Sequence, residues 1–264
     1  MSKKKQGPKI LILDIETIPL TAYTWGLFDQ NIALNQIKDE WAILSFAAKW
    51  LDDKHIFYMD QRKEKNIRND KKLLKALWKL MDESDIILTQ NGISFDIKKI
   101  NARFLLNGMN PPSPSRQIDT LRIMRKNFAL TSNKLEFATK ALCKKYKKLT
   151  NRKYSGFTLW SECMKGNQSA FKELEVYNKY DILSLQELYV DHLRKWDTSI
   201  NFSVYNDSNK PVCSCGSTKI HKHQIYTNNI GRFQKYKCQN CGSVFKGGPN
   251  LLSKEKKKSL LKKL

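Results

Sequence analysis

The sequence predicts an α/β domain built on a mixed sheet flanked by helices, on three observations. Strand-like runs come first and cluster in a meander, strand-like and helical periodicities then alternate, and one long amphipathic stretch closes the pattern near residue 193. A separate, cysteine-bearing segment follows.

Residues 9–14 (Lys-Ile-Leu-Ile-Leu-Asp) are short, apolar and β-branched, which predicts a buried strand. Two further strands are expected at 42–50 and 54–59, joined in a hairpin through Leu51-Asp52-Asp53-Lys54. From 70 to 81, Leu73, Leu74, Leu77, Trp78 and Met81 recur at helical spacing, and Ile86-Ile87-Leu88 predicts the next strand. A helix is expected after Ser94, a short strand ending at Asp119, helices near 120–127 and 134–146, and a last strong helix over 169–193.

Near residue 200 the composition changes. Residues 201–210 are polar and rich in Asn and Ser, which marks a linker. Four cysteines within thirty residues follow, then a tail with six lysines after Ser253. With 264 residues and 41% hydrophobic content, the chain has room for one substantial domain and a small appendage. No apolar run is long enough to span a bilayer, and the N-terminus lacks the apolar segment of a secretion signal. A soluble, cytoplasmic protein is expected.

The net charge is +23, with 48 Lys and Arg against 25 Asp and Glu. From residue 201 onward thirteen basic residues face two acids, so nearly half of the excess sits in a quarter of the chain. Such an excess favours a polyanion, because each neutralised phosphate releases counterions. Nucleic acid is the first candidate. Charge kept for solubility is the plain alternative, and the Lys-rich tail leaves an anionic membrane surface as a third.

Three acidic segments carry chemistry. Asp14 and Glu16 end the first strand, where alternation puts both on one face and Leu13 and Ile15 on the other. Adjacent carboxylates repel and raise each other's pKa, a penalty that a shared hard cation such as Mg²⁺ or Mn²⁺ removes. Alone, the pair also fits two solvated acids at a loop mouth. The second segment is Asn91-Gly92-Ile93-Ser94-Phe95-Asp96, with Ser94 expected as the N-cap and Asp96 in the first helical turn, where an acid also suits the helix dipole. The third is Tyr177-Asn178-Lys179-Tyr180-Asp181, whose Tyr177 and Asp181 share a helix face.

In order and spacing these segments, over about residues 8–195, resemble the DEDD superfamily of 3′→5′ exonucleases on the ribonuclease-H-like fold. The third segment has Tyr177 four residues before Asp181 and Val176 where His-type members carry histidine, so it resembles the Tyr-type. The Asn91–Asp96 segment most resembles the proofreading domains of B-family DNA polymerases and related stand-alone nucleases. The resemblance implies two Mg²⁺ or Mn²⁺ ions clamping the scissile phosphate. Asp14 would bridge both ions, Glu16 and Asp181 would share the ion holding the nucleophile, and Asp96 would complete the other site largely through water. Tyr177 would orient the attacking water, and Asn91 and Phe95 would contact the terminal nucleotides. The implied activity is hydrolysis of DNA, favoured over RNA, from single-stranded or frayed 3′ ends. A replication or repair protein acting in trans is the implied partner class. A catalytically idle nucleic-acid-binding protein and a structure-selective endonuclease or resolvase on the same fold are the alternatives. Asp119 is expected to cap the following helix, and Trp160 to be core.

Cys213-x-Cys215 and Cys238-x-x-Cys241 each precede a glycine, Gly216 and Gly242, as the turn of a metal knuckle needs. Four thiolates in two close pairs suit one structural Zn²⁺. Between them, 219–226 and 232–237 read as a hairpin, and the whole resembles a zinc ribbon. The one-residue spacing of the first pair leaves His221 or His223 as a substitute for Cys213. Arg232, Lys235 and Lys237, interleaved with Phe233 and Tyr236, suit nucleic acid. A metal-stapled module that only docks on the larger domain is the other reading. Cys143 and Cys163 are expected as buried thiols. The resulting division is 8–200 for the ribonuclease-H-like domain, 201–210 for the linker, 211–248 for the ribbon and 249–264 for the tail.

Overall fold

The computed structural model describes residues 7–146, 153–205, 210–213 and 215–261. The chain divides into two compact units, Lys9–Leu193 and Met1–Pro8 with Arg194–Leu264. Residues 206–209 of the expected linker and 262–264 of the tail lie outside the described residues.

The larger unit is a three-layer α/β sandwich. Its strands are β1 (Ile10–Ile18), a small hairpin β2 (Thr21–Ala22) and β3 (Ile37–Asp39), β4 (Ala42–Trp50), β5 (Phe57–Asp60), β6 (Ile86–Thr89) and β7 (Arg116–Asp119). Five of them form one mixed sheet in the order β5-β4-β1-β6-β7. β4 is antiparallel to β1 and β5, while β6 runs parallel to β1 and β7 parallel to β6. The helices are α1 (Lys71–Asp82), α2 (Asp96–Leu106), α3 (Thr120–Asn127), α4 (Leu135–Leu142), α5 (Thr158–Met164) and α6 (Gln168–Glu187), which continues as a π-helical turn over Leu188–Leu193.

β1 and β4 are covered on both faces, which is why they are mostly apolar outside Asp14, Glu16 and Thr17 of β1 and Ser45 and Lys49 of β4. On one face Leu11, Leu13 and Ile15 pack with Leu73, Leu74 and Leu77 of α1 and Ile100 and Phe104 of α2. On the other, Ile18, Ala42 and Leu44 pack with Leu159 of α5 and Phe171 and Leu174 of α6. A bulge opposite Glu16 and Thr17 inserts Leu44 as an extra residue in β4, so Ser45 and Leu44 both serve the α6 side. Asp70 is wholly buried before α1; its carboxylate receives Arg103 through Nε at 2.7 Å and Nη2 at 2.8 Å, and the Ile43 N–H at 3.0 Å. That pair ties α1, α2 and β4 together.

Several boundaries differ from expectation, each for a local reason. β5 starts at Phe57 rather than 54, because the Asp53 carboxylate takes the N–H groups of Lys54 and His55 and turns the chain there. Ser94 is not the N-cap: Asn91 has φ +63°, the N–H groups of Ser94 and Phe95 both donate to its carbonyl, and α2 begins after Phe95. α4 stops at Leu142 instead of 146, since the Glu187 carboxylate accepts the N–H groups of Lys144, Lys145 and Tyr146. α6 starts at Gln168, capped by Asn167, whose side chain accepts from Ser169 and Ala170.

The smaller unit carries a three-stranded antiparallel sheet, order β10-β9-β8: β8 (Ile220–Asn228), β9 (Gly231–Cys238) and β10 (Val244–Asn250). The expected hairpin is β8–β9. The third strand runs past 248, and a one-turn helix α7 (Lys254–Lys258), capped by Ser253, occupies part of the tail.

Candidate functional site

Strand alternation sends Asp14 and Glu16 towards α6 while Leu13 and Ile15 enter the opposite core. α6 presents Asp181 to them. Carboxylate oxygens of Asp14, Glu16 and Asp181 all lie within 4.8 Å of one another, an arrangement that could hold a metal ion. Burial, then the charges of Asp96, Glu16 and Asp181, hold the Asp14 carboxyl well above the usual carboxylate range, opposed by a hydrogen bond from Asn178.

Asp96 stands beside this group rather than inside it. Its Oδ1 accepts the Ile15 N–H at 3.1 Å, fixing the carboxylate against the backbone between Asp14 and Glu16. Burial pushes it up to about 7, with the N–H groups of Ile15 and of Asp96 itself pulling down and Asp119 pushing up. The turn that delivers Asp96 is held from behind. Asp119 Oδ1 accepts the N–H groups of Asn91 at 2.9 Å and of Leu121 at 3.0 Å, and its Oδ2 that of Ile93 at 3.3 Å, so it caps α3 and pins the 91–93 turn. A side chain at Gly92 would strike Thr89 Oγ1 at 2.2 Å, so only glycine fits there. Asn91 is half-buried and Phe95 is 39% exposed at the mouth of the same turn.

Tyr177 lies on the Asp181 side of α6, its ring edge-on to Trp160 with centroids 6.3 Å apart. Two residues that sequence reasoning passed over, Asn178 and Ser45, join the site, together with Trp160, which also packs against the core as expected. Asn178 is fully buried; its Nδ2 donates to Asp14 Oδ2 at 2.5 Å and its Oδ1 accepts from Ser45 Oγ at 3.1 Å. Trp160, expected as core, donates from Nε1 to Glu16 Oε2 at 3.2 Å. The available signal for Asn178 was its position three residues before Asp181, on the same helix face. Ser45 and Trp160 gave none, because their roles depend on which strand and helix meet.

In the smaller unit the sulfurs of Cys213, Cys215, Cys238 and Cys241 lie within 4.8 Å of one another, with Cys213–Cys241 at 3.3 Å and Cys215–Cys238 at 3.8 Å. Tetrahedral Zn²⁺ at Zn–S of about 2.3 Å needs sulfurs roughly 3.8 Å apart, so the four residues fit it. Gly216 and Gly242 have φ +82° and +76°, the turns that the knuckles require. His221 and His223 project from β8 and are not in this group. Arg232 and Lys237 are exposed on β9, and Lys235 is half-buried beside Tyr236. Cys143 and Cys163 are buried, and burial pushes both thiols up to about 12.

Among the described residues no helix is long and apolar enough to cross a membrane. No curated protein matches the sequence. Among solved structures, the family B DNA polymerase from the hyperthermophilic archaeon Pyrobaculum calidifontis is similar over 71% of this chain, at 12% identity and a TM-score of 0.47. The match covers 25% of the polymerase, so the chain spans about a quarter of its length. A family model described as the RNase_H superfamily matches residues 11–193, the whole sandwich from β1 to the π-helical turn. The chain therefore belongs to the RNase_H superfamily.

Proposed function

We propose that this chain is a metal-dependent 3′→5′ exonuclease of the Tyr-type DEDD group, acting on single-stranded or frayed 3′ ends of DNA. The observation that carries the reading is the convergence of Asp14, Glu16 and Asp181 from β1 and α6. Three carboxylates so close, one of them with a strongly raised pKa, form a costly arrangement that divalent cations relieve. Asp14, Glu16, Asp96 and Asp181 would hold Mg²⁺ or Mn²⁺. Such cations, when bound, supply the charge that activates water and stabilises a leaving 3′ oxygen.

The protein's own groups then have distinct tasks. Asn178 and Trp160 fix the carboxylates of Asp14 and Glu16, so their lone pairs need no reorganisation at the moment of reaction. The Tyr177 hydroxyl orients the attacking water, and Asn91 and Phe95 meet the terminal nucleotides. The ribbon, with Zn²⁺ on its four cysteines, contributes Arg232, Lys235 and Lys237 to the phosphate backbone, and a replication or repair protein is the partner class. The division of labour is residues 8–200 for cleavage, 201–210 as linker, and 211–248 with the 249–264 tail for grip.

The test is digestion of linear single-stranded DNA, labelled at its 5′ or its 3′ end, and of a single-stranded circle with Mn²⁺. The expected result is a shortening ladder from the 5′-labelled strand, immediate release of label from the 3′-labelled one, and an intact circle. A cut circle would instead indicate the endonuclease alternative. Binding without cleavage of any substrate would indicate the idle scaffold.

A further inference from the structure

Between β1 and β4 the chain leaves the sandwich over residues 19–41 and exposes most of its apolar side chains. Trp25 is 97% exposed, Leu27 93%, Leu34 86% and Phe28 82%, with Tyr23 also well exposed. An apolar concentration of this kind is uncommon on a free protein surface and marks an interaction site.

The excursion is built rather than slack. Arg68 clamps its stem, donating to the carbonyls of Pro19 and Glu40 at 3.0 and 2.6 Å and to Thr21 Oγ1 at 2.9 Å. Gln36 closes the neck: its Nε2 donates to the Tyr23 carbonyl, its Oε1 accepts the Ala33 N–H, and its carbonyl accepts the Tyr23 N–H. β2 and β3 add a short ladder. The polar anchors named hold the stem and the neck, where the Tyr23 backbone is fixed, and the rings of Trp25 and Phe28 are left to the tip.

Its position selects the occupant. The excursion departs and returns where Ile18 pairs with Ala42, at the same end of the ladder as Glu16 opposite Ser45. Two strand residues separate Glu16 from that exit, a rise of about 7 Å. A strand whose end lies at the carboxylates would therefore have its neighbouring nucleotides within reach of the tip. Nucleobases stack on exposed aromatic rings regardless of sequence; the tip carries one acid, Asp29, and no basic side chain, so its hold on a strand comes from stacking, while the charge that attracts a polyanion lies elsewhere on the chain, which carries +23 in all.

We propose that Tyr23, Trp25 and Phe28 form a stacking platform for unpaired bases of the single-stranded nucleic acid held at the carboxylate cluster. The inference rests on the nuclease reading and adds a substrate-binding surface to it.

Two measurements separate the platform from that reading. The first is the affinity of the full chain for a fluorescent single-stranded oligonucleotide in Ca²⁺, read by anisotropy for the wild type, Trp25→Phe and the double variant Trp25→Ala/Phe28→Ala. The other is Mn²⁺-dependent hydrolysis of the p-nitrophenyl ester of thymidine 5′-monophosphate, which is too small to reach the tip. The expected result is affinity reduced about tenfold or more in the double variant, near wild-type affinity for Trp25→Phe, and unchanged ester hydrolysis. Oligonucleotide affinity within twofold of wild type in the double variant overturns the platform, whatever the ester assay shows. A wild-type dimer in sedimentation that the double variant converts to monomer, with oligonucleotide binding unchanged, assigns the surface to a second copy and also overturns it. Absent ester and DNA hydrolysis in the wild type would defeat the nuclease reading alone, and the affinity comparison would still decide the platform.

Discussion

Asn178 donates its side-chain N–H to Asp14 at 2.5 Å while accepting the hydroxyl of Ser45, so a residue with no charge of its own sets the direction of a carboxylate that burial and neighbouring acids hold well above its usual range. The contact extends through a polar chain. Tyr58 lies in hydrogen-bonding reach of Ser45 and donates to Asp60, Asp60 pairs with Arg62, and Arg62 returns to Glu175 on α6. Replacing Asn178 with Ala should lower kcat about 10–100-fold, the usual effect of losing a group that orients a metal ligand, while KM for DNA stays within threefold. Steady-state kinetics on a short oligonucleotide checks the split. A rise in KM at constant kcat would mean that Asn178 serves binding instead.

Trp160 holds Glu16 from the other side. Trp160→Phe keeps the ring against Tyr177 and removes only the N–H donor. The half-saturating Mn²⁺ concentration should rise by about an order of magnitude, with maximal rate at saturating Mn²⁺ largely recovered.

The acids also make stability depend on pH in an unusual direction. Asp14 and Asp96 have folded pKa values raised above the ordinary 3.8, Asp96 to about 7. The folded chain therefore binds protons more tightly than the unfolded chain, and stability falls as pH rises through that window. Chelator-treated protein should show a Tm that declines between about pH 4 and pH 7 from these groups. Saturating Mg²⁺ or Mn²⁺ at pH 7.5 should restore it, since ligand binding to the folded state alone stabilises that state. Asp96→Asn should flatten the decline. Thermal melts across pH, with and without cation, read all three.

The Asp70–Arg103 pair joins α1 and α2 to β4 and tests the scaffold. Asp70 is fully buried and Arg103 is its cationic partner. Arg103→Met leaves that charge unpaired and should cost about 3–5 kcal/mol, measured by urea unfolding.

Zinc and grip are separable from cleavage. Zn²⁺ analysis should find one ion per chain, lost in Cys238→Ser. Deleting 201–264 should weaken DNA binding and flatten its salt dependence, by about 0.7 in log–log slope for each single-strand phosphate contact removed. Turnover on short oligonucleotides should stay nearly unchanged. An unaltered salt slope would give the ribbon another role.

Much of this arrangement was legible in the sequence, for reasons that differ by element. β1 and β4 were readable because two-sided burial leaves a mostly apolar run, and Asp14 and Glu16 because strand alternation is strict. The pairs of cysteines and their glycines announced themselves by spacing. Ser45 and Trp160 were not readable, and the position of Asn178 three residues before Asp181 gave its helix face but not its partner, since a polar side chain acquires its role only from the partner that tertiary packing supplies. Ser94 has the chemistry of a cap, but the left-handed Asn91 and the carboxylate of Asp119 created a turn that used its N–H elsewhere. β10 was hidden because Gly247-Gly248-Pro249 has little strand propensity of its own and sits where the ladder shifts register, between Val244–Lys246 and Asn250, which pair with β9.

The most direct measurement is Mn²⁺-dependent release of mononucleotides from 5′-labelled single-stranded DNA by the wild type and Asp14→Asn side by side. The expected result is stepwise shortening by the wild type and a rate at least about a thousandfold lower in the variant, with its melting temperature equal or higher. Undiminished digestion by a folded Asp14→Asn protein would contradict the assignment of the carboxylate cluster as the site of cleavage.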